Sequence, residues 1–477
     1  MEVQVVKPTV WAISLFDGIA LFFQLSTPNS RCIMKKIKNL PESDFLKLFY
    51  GFFSLCFLIA AFFMPDRGNM LSGLWQILSN PCKITTNYFA LGGYAATFLN
   101  MGLVGLICTA LYTLLKSTAN NVSTLALILT IGFCSWGINI LNMWPSILGV
   151  VLYALVKKEK PGTLVNAMLF STGIAPLISE LMLRYPNVEV IGFNAVGAVL
   201  ALVVGIVIGF FLPAGLAHAP KVHKGFDLYS AAVPVGMTAF LLHTVLFKAV
   251  GLDAGKLATS GSLEVASQLT VNLFCGIVFG LCVVIALLLG CKPKDYWTLL
   301  KDPDQVTNFS ATYGNAVMLM NVGLYGLMIL GYYNLVGASF NGVTFGIIIC
   351  MLATCNSGTH PGNVWPIMLG YIAASYGFGW LSTLVGGNFT QAVNAQAILI
   401  GLCYANGLSP IADKYGWFYG FLGAILHYCM VTTVPSLHGG FCLYNGGFTA
   451  ALVCLLMVPA LERLLKTKEE KRALKAK

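Results

Sequence analysis

The sequence predicts an all-α, polytopic membrane protein, a fold class indicated first by composition. Of the 477 residues, 57% are hydrophobic and only 10% are charged, and the mean hydropathy is +0.79. A soluble protein has about 25% charged residues. The second observation is that long apolar runs recur along the whole chain, such as 45–63, 191–212, 273–289 and 440–459. A helix of about 20 such residues crosses a hydrocarbon core about 30 Å thick.

The third observation is an internal repeat. Polar and aromatic residues recur in the same order at a constant spacing of 221 residues. Asn100 recurs as Asn321, and Asn142-x-Trp-Pro recurs as Asn363-x-Trp-Pro. Chance similarity between apolar helices matches leucine and valine, whereas this match preserves Asn, Trp and Pro. The pattern therefore predicts two copies of one helical unit.

Each copy divides into seven predicted helical pieces. In the first copy they are 44–64, 87–115, 122–138, 144–157, 162–182, 191–213 and 226–250. In the second copy they are 267–290, 309–335, 343–358, 364–378, 389–406, 416–434 and 440–463. The third and fourth pieces are short, so they form either a re-entrant hairpin or two thin spans. Either choice gives an odd number of crossings, so the second copy is predicted to lie inverted relative to the first.

The duplication sets the expected organisation of the chain. We predict a leading transmembrane helix and basic loop (1–43), repeat 1 (44–250), an external connector (251–265), repeat 2 (266–463) and a basic tail (464–477). Lysine and arginine cluster in short loops and in the tail. Such loops stay in the cytoplasm, so we expect a multi-pass protein of the cell membrane with its N-terminus outside and its C-terminus in the cytoplasm.

The positive charge does not indicate a nucleic-acid partner. The formal net charge of +10 comes from the loops and the tail, where it is explained by membrane topology. The 14 cysteines contain no C-x-x-C pair and no Cys/His metal spacing. We therefore expect no metal or organic cofactor. Lipid and a small-molecule solute are the expected partners, and a homo-oligomer is left open.

The candidate binding residues lie at the polar tips that separate the short pieces. Backbone that leaves the helix at membrane depth is tolerated only where protein or water satisfies it. The helix that follows each tip also points its positive end at the tip. We therefore predict a midplane site between the two tips for a solute or an ion, formed by Ser135, Asn139 and Asn142 and by Asn356, Ser357, Thr359, His360 and Asn363. The alternative is an interfacial turn, in which tryptophan lies at the headgroups and proline starts the next helix.

A helix that is predicted to unwind follows each pair of short pieces. One carries Asn166 and Gly173-x-x-Pro, and the other carries Asn394 and Gly407-x-x-Pro; we include both asparagines in the site. A hairpin followed by an unwound helix in each of two inverted copies resembles the ion-transporter superfamily. The resemblance implies sodium binding at Ser-Asn-Thr tips and an elevator motion. Residues 356–359 are similar to those tips, so the resemblance implies sodium as the coupling ion, and coupling to a proton is the alternative.

The histidines receive separate interpretations. His223 and His438 are matched between the copies and each opens the last helix of its copy, which predicts a gate or a helix-start role. His360 lies in the second tip and is the candidate for proton coupling, with a structural hydrogen bond as the alternative. Asp227 is matched by Cys442, which argues against a catalytic use shared by both copies.

Two stretches of the chain also resemble a known family. Residues 356–363 and 438–447 are similar to a family of bacterial multi-spanning membrane proteins whose domain has no assigned function. The resemblance covers the full length but implies no substrate.

These features predict an ion-coupled secondary transporter of a small polar or anionic solute, and not an enzyme. The chain has no nucleotide-binding motif, so ATP is not expected to drive it. A passive channel is the first alternative and requires an open polar pore. An intramembrane enzyme is the second, although the chain lacks G-x-S-x-G and a His/Glu zinc motif.

Overall fold

The computed structural model describes residues 36–255, 264–302 and 306–465, and within these ranges all regular structure is helical. The predicted leading helix and most of the basic tail lie outside the described residues. Among those that are described, nine helical stretches are long and apolar enough to cross a membrane. They are Glu42–Phe63, Tyr88–Leu114, Pro161–Arg184, Ala195–His223, Ala232–Ala249, Ser267–Leu288, Asn315–Leu335, Pro361–Leu384 and Asn445–Leu464. The protein is therefore an all-α, polytopic membrane protein, as predicted.

The helices overlap the predicted pieces, with two additional short helices at Met70–Leu78 and Pro293–Leu299. The first half contains α1 (Glu42–Phe63), α2 (Met70–Leu78), α3 (Tyr88–Leu114), α4 (Asn121–Phe133), α5 (Trp144–Lys157), α6 (Val165–Ser171), α7 (Ala175–Arg184), α8 (Ala195–His223) and α9 (Ala232–His243). The second half contains α10 (Glu264–Leu288), α11 (Pro293–Leu299), α12 (Phe309–Tyr313), α13 (Asn315–Leu335), α14 (Gly342–Leu352), α15 (Pro361–Leu384), α16 (Gln396–Ala405), α17 (Ser409–Tyr415), α18 (Trp417–Val431) and α19 (Asn445–Leu464).

Glycines allow several neighbouring helices to approach closely. A Cβ added at Gly209 of α8 would lie 1.9 Å from the Ser146 carbonyl oxygen of α5. A Cβ at Gly102 of α3 would lie 2.7 Å from the Leu58 backbone nitrogen of α1. Small residues at such contacts are how membrane helices gain packing energy in the absence of a hydrophobic driving force.

The two short helices α4 and α14 form the centre of the bundle. Every residue of α14 is buried, and so is every residue of α4 after Val122. The Ser357 hydroxyl, just after α14, donates to the Asn121 carbonyl at the start of α4 (3.3 Å). Gly342, at the start of α14, packs on the Ser135 carbonyl just after α4. The two helices therefore run antiparallel, side by side.

Two longer stretches are interrupted where glycine and proline predicted a break. A 3₁₀ turn at Thr172–Ile174 separates α6 from α7, and a second at Asn406–Leu408 separates α16 from α17. The Gly173 carbonyl accepts the Leu443 N–H at 2.9 Å, and the Gly407 carbonyl accepts the Leu228 N–H at 3.1 Å. Each half of the chain thus satisfies the broken helix of the other half.

Local geometry recurs at positions 221 residues apart. Asn100 Nδ2 donates to the carbonyls of Cys134 and Ile138, both at 2.8 Å. Asn321 Nδ2 donates to the carbonyls of Cys355 and Thr359, also both at 2.8 Å. In each half, the amide fixes the turn that follows a short central helix, because it pairs carbonyls that have no intrahelical partner.

Candidate functional site

The second tip, residues 356–363, is closed by hydrogen bonds of its own side chains. Asn363 Oδ1 accepts the His360 backbone N–H at 3.0 Å, while its Nδ2 donates to the Gly358 carbonyl at 2.8 Å and to Asp413 Oδ2 at 2.7 Å. His360 Nδ1 accepts the Gly362 N–H at 3.1 Å and caps α15. The His360 Nε2 is buried and finds no partner among the described residues. These side chains hold the backbone of the tip.

Asn356 and Thr359 tie the same tip to its surroundings. Asn356 Oδ1 accepts the Ser310 N–H at 2.9 Å, and its Nδ2 donates to Ser310 Oγ at 3.1 Å and Thr124 Oγ1 at 3.3 Å. Thr359 Oγ1 lies 2.8 Å from Thr354 Oγ1. Both side chains are fully buried, so their hydrogen-bond partners are other groups of the protein.

The first tip is closed in a related way. Asn142 Nδ2 donates to the Gly137 carbonyl at 2.9 Å and to Ser179 Oγ at 2.8 Å, and its Oδ1 accepts the Asn139 N–H at 2.9 Å. The Asn139 side chain in turn accepts the Asn142 N–H at 2.9 Å. Ser135 Oγ donates to the Gly132 carbonyl at 2.9 Å.

The predicted site between the two tips is not formed. The first tip follows the end of α4, and the second tip follows the end of α14 beside the start of α4. Since α4 has 13 residues, a rise of 1.5 Å per residue separates its two ends by about 20 Å. The middle of the bundle is filled by α4 and α14, because glycines such as Gly132 and Gly346 let them touch.

The tryptophans of the two tips support the alternative of an interfacial turn. Trp144 and Trp365 are each 42% exposed, in contrast to the buried asparagines two residues before them. Exposed indoles beside a turn are typical of the headgroup region. The second turn also differs from its prediction, because α15 begins at Pro361 and includes Trp365, whereas α5 begins at Trp144. The His360 cap and a proline in the first turn start α15 early.

Asn394 does not join a site. It is exposed, lies two residues before α16, and its Nδ2 reaches the Gly337 carbonyl at 3.4 Å. The apparent match to Asn166 also fails in the structure. Tyr112 donates to Asn166 Oδ1 at 2.6 Å, whereas its counterpart Tyr333 donates to the Leu399 carbonyl at 3.1 Å.

Three predicted residues instead meet at a cavity of about 490 Å³. Asn166, Ser357 and His223 line it, so residues far apart in the sequence and from both halves share one wall. Most of the wall is apolar and comes from α4, α6, α8 and the segment 225–231, with Val122, Leu125, Leu164, Phe170, Pro213 and Leu216 among its members. The volume lies in the range of about 300–1,000 Å³ that is usual for small-molecule sites.

The polar groups of the cavity retain hydrogen-bonding capacity. Asn166 uses its Oδ1 to accept from Tyr112, and its Nδ2 makes no hydrogen bond to the described residues. Ser357 donates to the Asn121 carbonyl, which leaves its oxygen able to accept. The cavity can therefore offer a solute at least one donor and one acceptor, supplied by opposite halves of the chain.

His223 and Asp227 form one end of the cavity wall. The Asp227 backbone N–H donates to His223 Nδ1 at 3.2 Å, so Nδ1 is the unprotonated nitrogen and Nε2 donates to Ser230 Oγ at 2.8 Å. Asp227 Oδ1 accepts the Tyr229 N–H at 2.9 Å, whereas its buried Oδ2 has no partner among the described residues. Burial raises the pKa of the Asp227 carboxyl to about 8.

His438 has the geometry of His223 but a different surrounding. Its Nδ1 accepts the Cys442 N–H at 3.2 Å, and its Nε2 lies 3.0 Å from Asn445 Oδ1. Burial lowers the pKa of His438 to about 4, so the ring is neutral. Both histidines accept a backbone N–H from the turn before the last helix of their half.

The opposite end of the bundle carries a buried ion pair. Arg184 Nε donates to Glu180 Oε2 at 3.2 Å, and the Gly255 N–H donates to Glu180 Oε1 at 3.0 Å. The pair lies at the end of α7, beyond the break that separates it from the cavity residues of α6. These contacts hold residue 255 against the bundle.

The predicted site omits three polar residues that contact the tips, the second helix break or the cavity wall. Asn406 Nδ2 donates to Tyr325 Oη at 2.7 Å and to the Met351 carbonyl at 2.9 Å, within the second helix break. Asp413 Oδ2 accepts a hydrogen bond from Asn363 Nδ2 at 2.7 Å. Asp227 was set aside because it has no acidic counterpart. The position of Asn406 directly before the Gly-x-x-Pro motif was the available signal.

The fold and the cavity define a multi-pass α-helical membrane protein with a partly polar, solute-sized cavity. A family model described as "Protein of unknown function (DUF1576)" matches residues 66–248 and 292–463, one segment in each half. The chain belongs to this family, which is the second of the resemblances drawn above. No curated protein and no solved structure matches the chain. The resemblance to the ion-transporter superfamily stays a prediction.

Proposed function

We propose that the protein is a secondary transporter that carries a small solute across the membrane. The observation that carries the proposal is the cavity of about 490 Å³, whose wall joins Asn166 of the first half to Ser357 of the second. A site built from two bodies can change its exposure when the bodies move, and this is how alternating access works in transporters with repeated halves.

The chemistry of the wall indicates the class of solute. The lining is mainly aliphatic and proline side chains, with Asn121, Thr163, Asn166, Ser230 and Ser357 as the uncharged polar members. Apolar walls with a few convergent polar groups recognise molecules that have both characters. We infer a solute with a hydrocarbon portion and a small polar or monoanionic group.

The charges near the mouth suggest its side of the membrane. The exposed rim residues Thr163, Pro220 and Val306 lie close in the sequence to Lys160, Lys221 and Lys301. Basic loops are retained in the cytoplasm, so we infer that the cavity faces the cytoplasm in this conformation. The same lysines would raise the local concentration of an anionic solute.

We further propose that the halves are inverted copies. The repeated amide bonds of Asn100 and Asn321, and the reciprocal bonds from Leu443 to Gly173 and from Leu228 to Gly407, support this. An equivalent rearrangement in the second half would open the other side. A passive channel remains the second candidate function, and the filled centre of the bundle, where α4 and α14 touch, disfavours it.

The test is to fill the cavity and measure uptake. Leu216→Trp places a larger side chain in the cavity wall, while Leu202→Trp makes the same change at a position of α8 that is 42% exposed. Both proteins, and the unmodified protein, are reconstituted in liposomes and screened with a set of radiolabelled metabolites under sodium and proton gradients. We expect uptake to be at least tenfold lower in Leu216→Trp, because a loss of about 1.4 kcal/mol of solute-binding free energy lowers affinity tenfold. Uptake by Leu202→Trp should be unchanged.

Other outcomes would reject parts of the proposal. Equal uptake by the two tryptophan variants would remove the cavity from the path. Uptake by the unmodified protein that is independent of both gradients would identify a channel. If no solute in a broad screen crosses the membrane, the transport proposal fails.

A further inference from the structure

One carboxyl group in the cavity wall, that of Asp227, is buried without a paired cation among the described residues. Asp227 is 2% exposed, and of its two carboxylate oxygens only Oδ1 has a hydrogen bond, from the Tyr229 N–H. Burying an ionised carboxylate without a cation costs several kcal/mol, so such a group is normally paired. Asp227 forms no ion pair with any described residue.

The titratable groups around Asp227 come from three helices. His223, on the end of α8, uses Nδ1 to accept the Asp227 N–H and has its proton on Nε2. On α19, the Cys454 thiol is near enough for the carboxylate to affect it. The cation of Lys414, on α17, lies 5.2 Å from the Phe226 ring. None of these neutralises the carboxylate by direct contact.

The break of the second half also touches Asp227. A Cβ added at Gly407 would lie 3.0 Å from Asp227 Oδ1, and the next residue, Leu228, donates its N–H to the Gly407 carbonyl. The matched position in the other half is Cys442, beside Gly173. The carboxyl therefore lies where the two halves meet, and it occurs at one of the two equivalent positions.

We propose that Asp227 is a proton-binding site that couples proton movement to the exposure of the cavity. The inference rests on the proposed transport function and names its coupling ion. In the conformation described, a proton occupies Oδ2 and the carboxyl is neutral, so its burial against Gly407 is stable. Release of this proton to water leaves a carboxylate, and the charge favours separation of the segment 225–231 from the second helix break, where water can reach it.

The proton balance of the cycle is simple. One proton from the aqueous phase binds Oδ2 when Asp227 is hydrated, and the same proton returns to water when the carboxyl is next exposed. If those two events occur on opposite sides, each cycle moves one proton with or against the solute. The raised pKa of about 8 places the exchange near neutral pH.

The first experiment detects the proton without any solute. Infrared spectra of the full-length protein in liposomes are recorded from about pH 5 to about pH 10, a range that separates ordinary carboxyl groups from shifted ones. We expect the carbonyl band of a protonated carboxylic acid at neutral pH, lost with a midpoint near pH 8. The band should be absent in Asp227→Asn, should titrate in Asp227→Glu, and should be unchanged in Glu462→Gln, which removes a surface carboxyl paired with Lys224.

The second experiment tests coupling with whichever radiolabelled metabolite the screen identifies. Asp227→Asn should lose at least tenfold of the accumulation driven by a pH gradient, whereas Glu462→Gln, which changes a surface carboxyl, should keep it. Identical infrared titrations of the unmodified protein and Asp227→Asn would overturn the site. Full accumulation by Asp227→Asn would overturn the coupling role. Failure of all transport by the unmodified protein, with its titration intact, would reject the transport function separately.

Discussion

At the scale of the residue, buried side-chain amides fix the backbone of the two tips. Asn321 Nδ2 pairs the carbonyls of Cys355 and Thr359, and its Oδ1 accepts from the Tyr296 hydroxyl at 3.2 Å. Asn100 makes the matched pair of bonds in the first half. The repeated geometry explains why an asparagine lies inside each apolar helix, where a polar group without partners would be costly.

Removal of Asn321 should therefore destabilise the protein. Asn321→Ala leaves two buried carbonyls unpaired, at about 1–3 kcal/mol for each. The control is Asn80→Ala, which removes a hydrogen bond to the Gln76 carbonyl at the surface. Its free energy of unfolding should change by no more than about 0.5 kcal/mol. Thermal unfolding in detergent measures both. Equal midpoints for the two variants would show that the buried amide does not stabilise the tip.

The choice of site residues illustrates what the sequence could and could not provide. Asn142, Asn356 and Asn363, which the sequence predicts to form a binding site, are all buried. Their partners, such as Ser179 and Asp413, lie 37 and 50 residues away and become neighbours only through tertiary packing. The cavity was not predictable for the same reason, because its wall combines α4, α6, α8 and the second tip.

At the scale of the element, local sequence was sufficient where backbone chemistry decides the outcome. The Gly-x-x-Pro motifs predicted both breaks, and 3₁₀ turns occur at Thr172–Ile174 and Asn406–Leu408. The relation between the two short helices was not local. The predicted midplane site requires the two tips to face each other, whereas α4 and α14 overlap along their lengths through Gly132 and Gly346.

The close packing of α5 on α8 provides an element-scale prediction. Gly209→Ala would put a Cβ 1.9 Å from the Ser146 carbonyl oxygen, so the helices must separate. We expect the free energy of unfolding to fall by about 1–3 kcal/mol, as is usual when a side chain is added to a packed contact. Gly276→Ala is the matched change, because an added Cβ there meets nothing within 4 Å. That variant should gain up to about 1 kcal/mol from helix propensity.

Guanidinium or thermal unfolding of the two glycine variants in the same detergent gives the comparison. A stabilising Gly209→Ala would mean that α5 and α8 are not in contact at this position.

At the scale of the whole molecule, the separation of the tips gives a topology that can be measured. Trp144 and Trp365 are equally exposed and lie at opposite ends of the α4–α14 pair. If the basic loops are cytoplasmic, Trp144 is at the outer face and Trp365 at the inner face.

Cysteine labelling on sealed cells tests this arrangement. Trp144→Cys and Trp365→Cys are made in a Cys429→Ser background, since Cys429 is exposed. A membrane-impermeant maleimide should label the first variant from outside and the second only after permeabilisation. Labelling of both variants from the same side would contradict the inverted arrangement. The Cys429→Ser protein without either new cysteine measures any reaction at other thiols.

The reciprocal bonds at the helix breaks have a consequence for biosynthesis. The 3₁₀ turn leaves the carbonyl of Gly173 to bond outside its own helix, and the N–H that it accepts belongs to Leu443. The ribosome synthesises Leu443 270 residues after Gly173. At 5–20 residues per second, the ribosome needs roughly 14–54 s to reach that residue. During this interval the nascent first half sits in the bilayer with an open backbone acceptor, which water or the insertion machinery must cover. A chain truncated before residue 443 should therefore be recognised as incomplete by membrane quality control, however well its first helices insert.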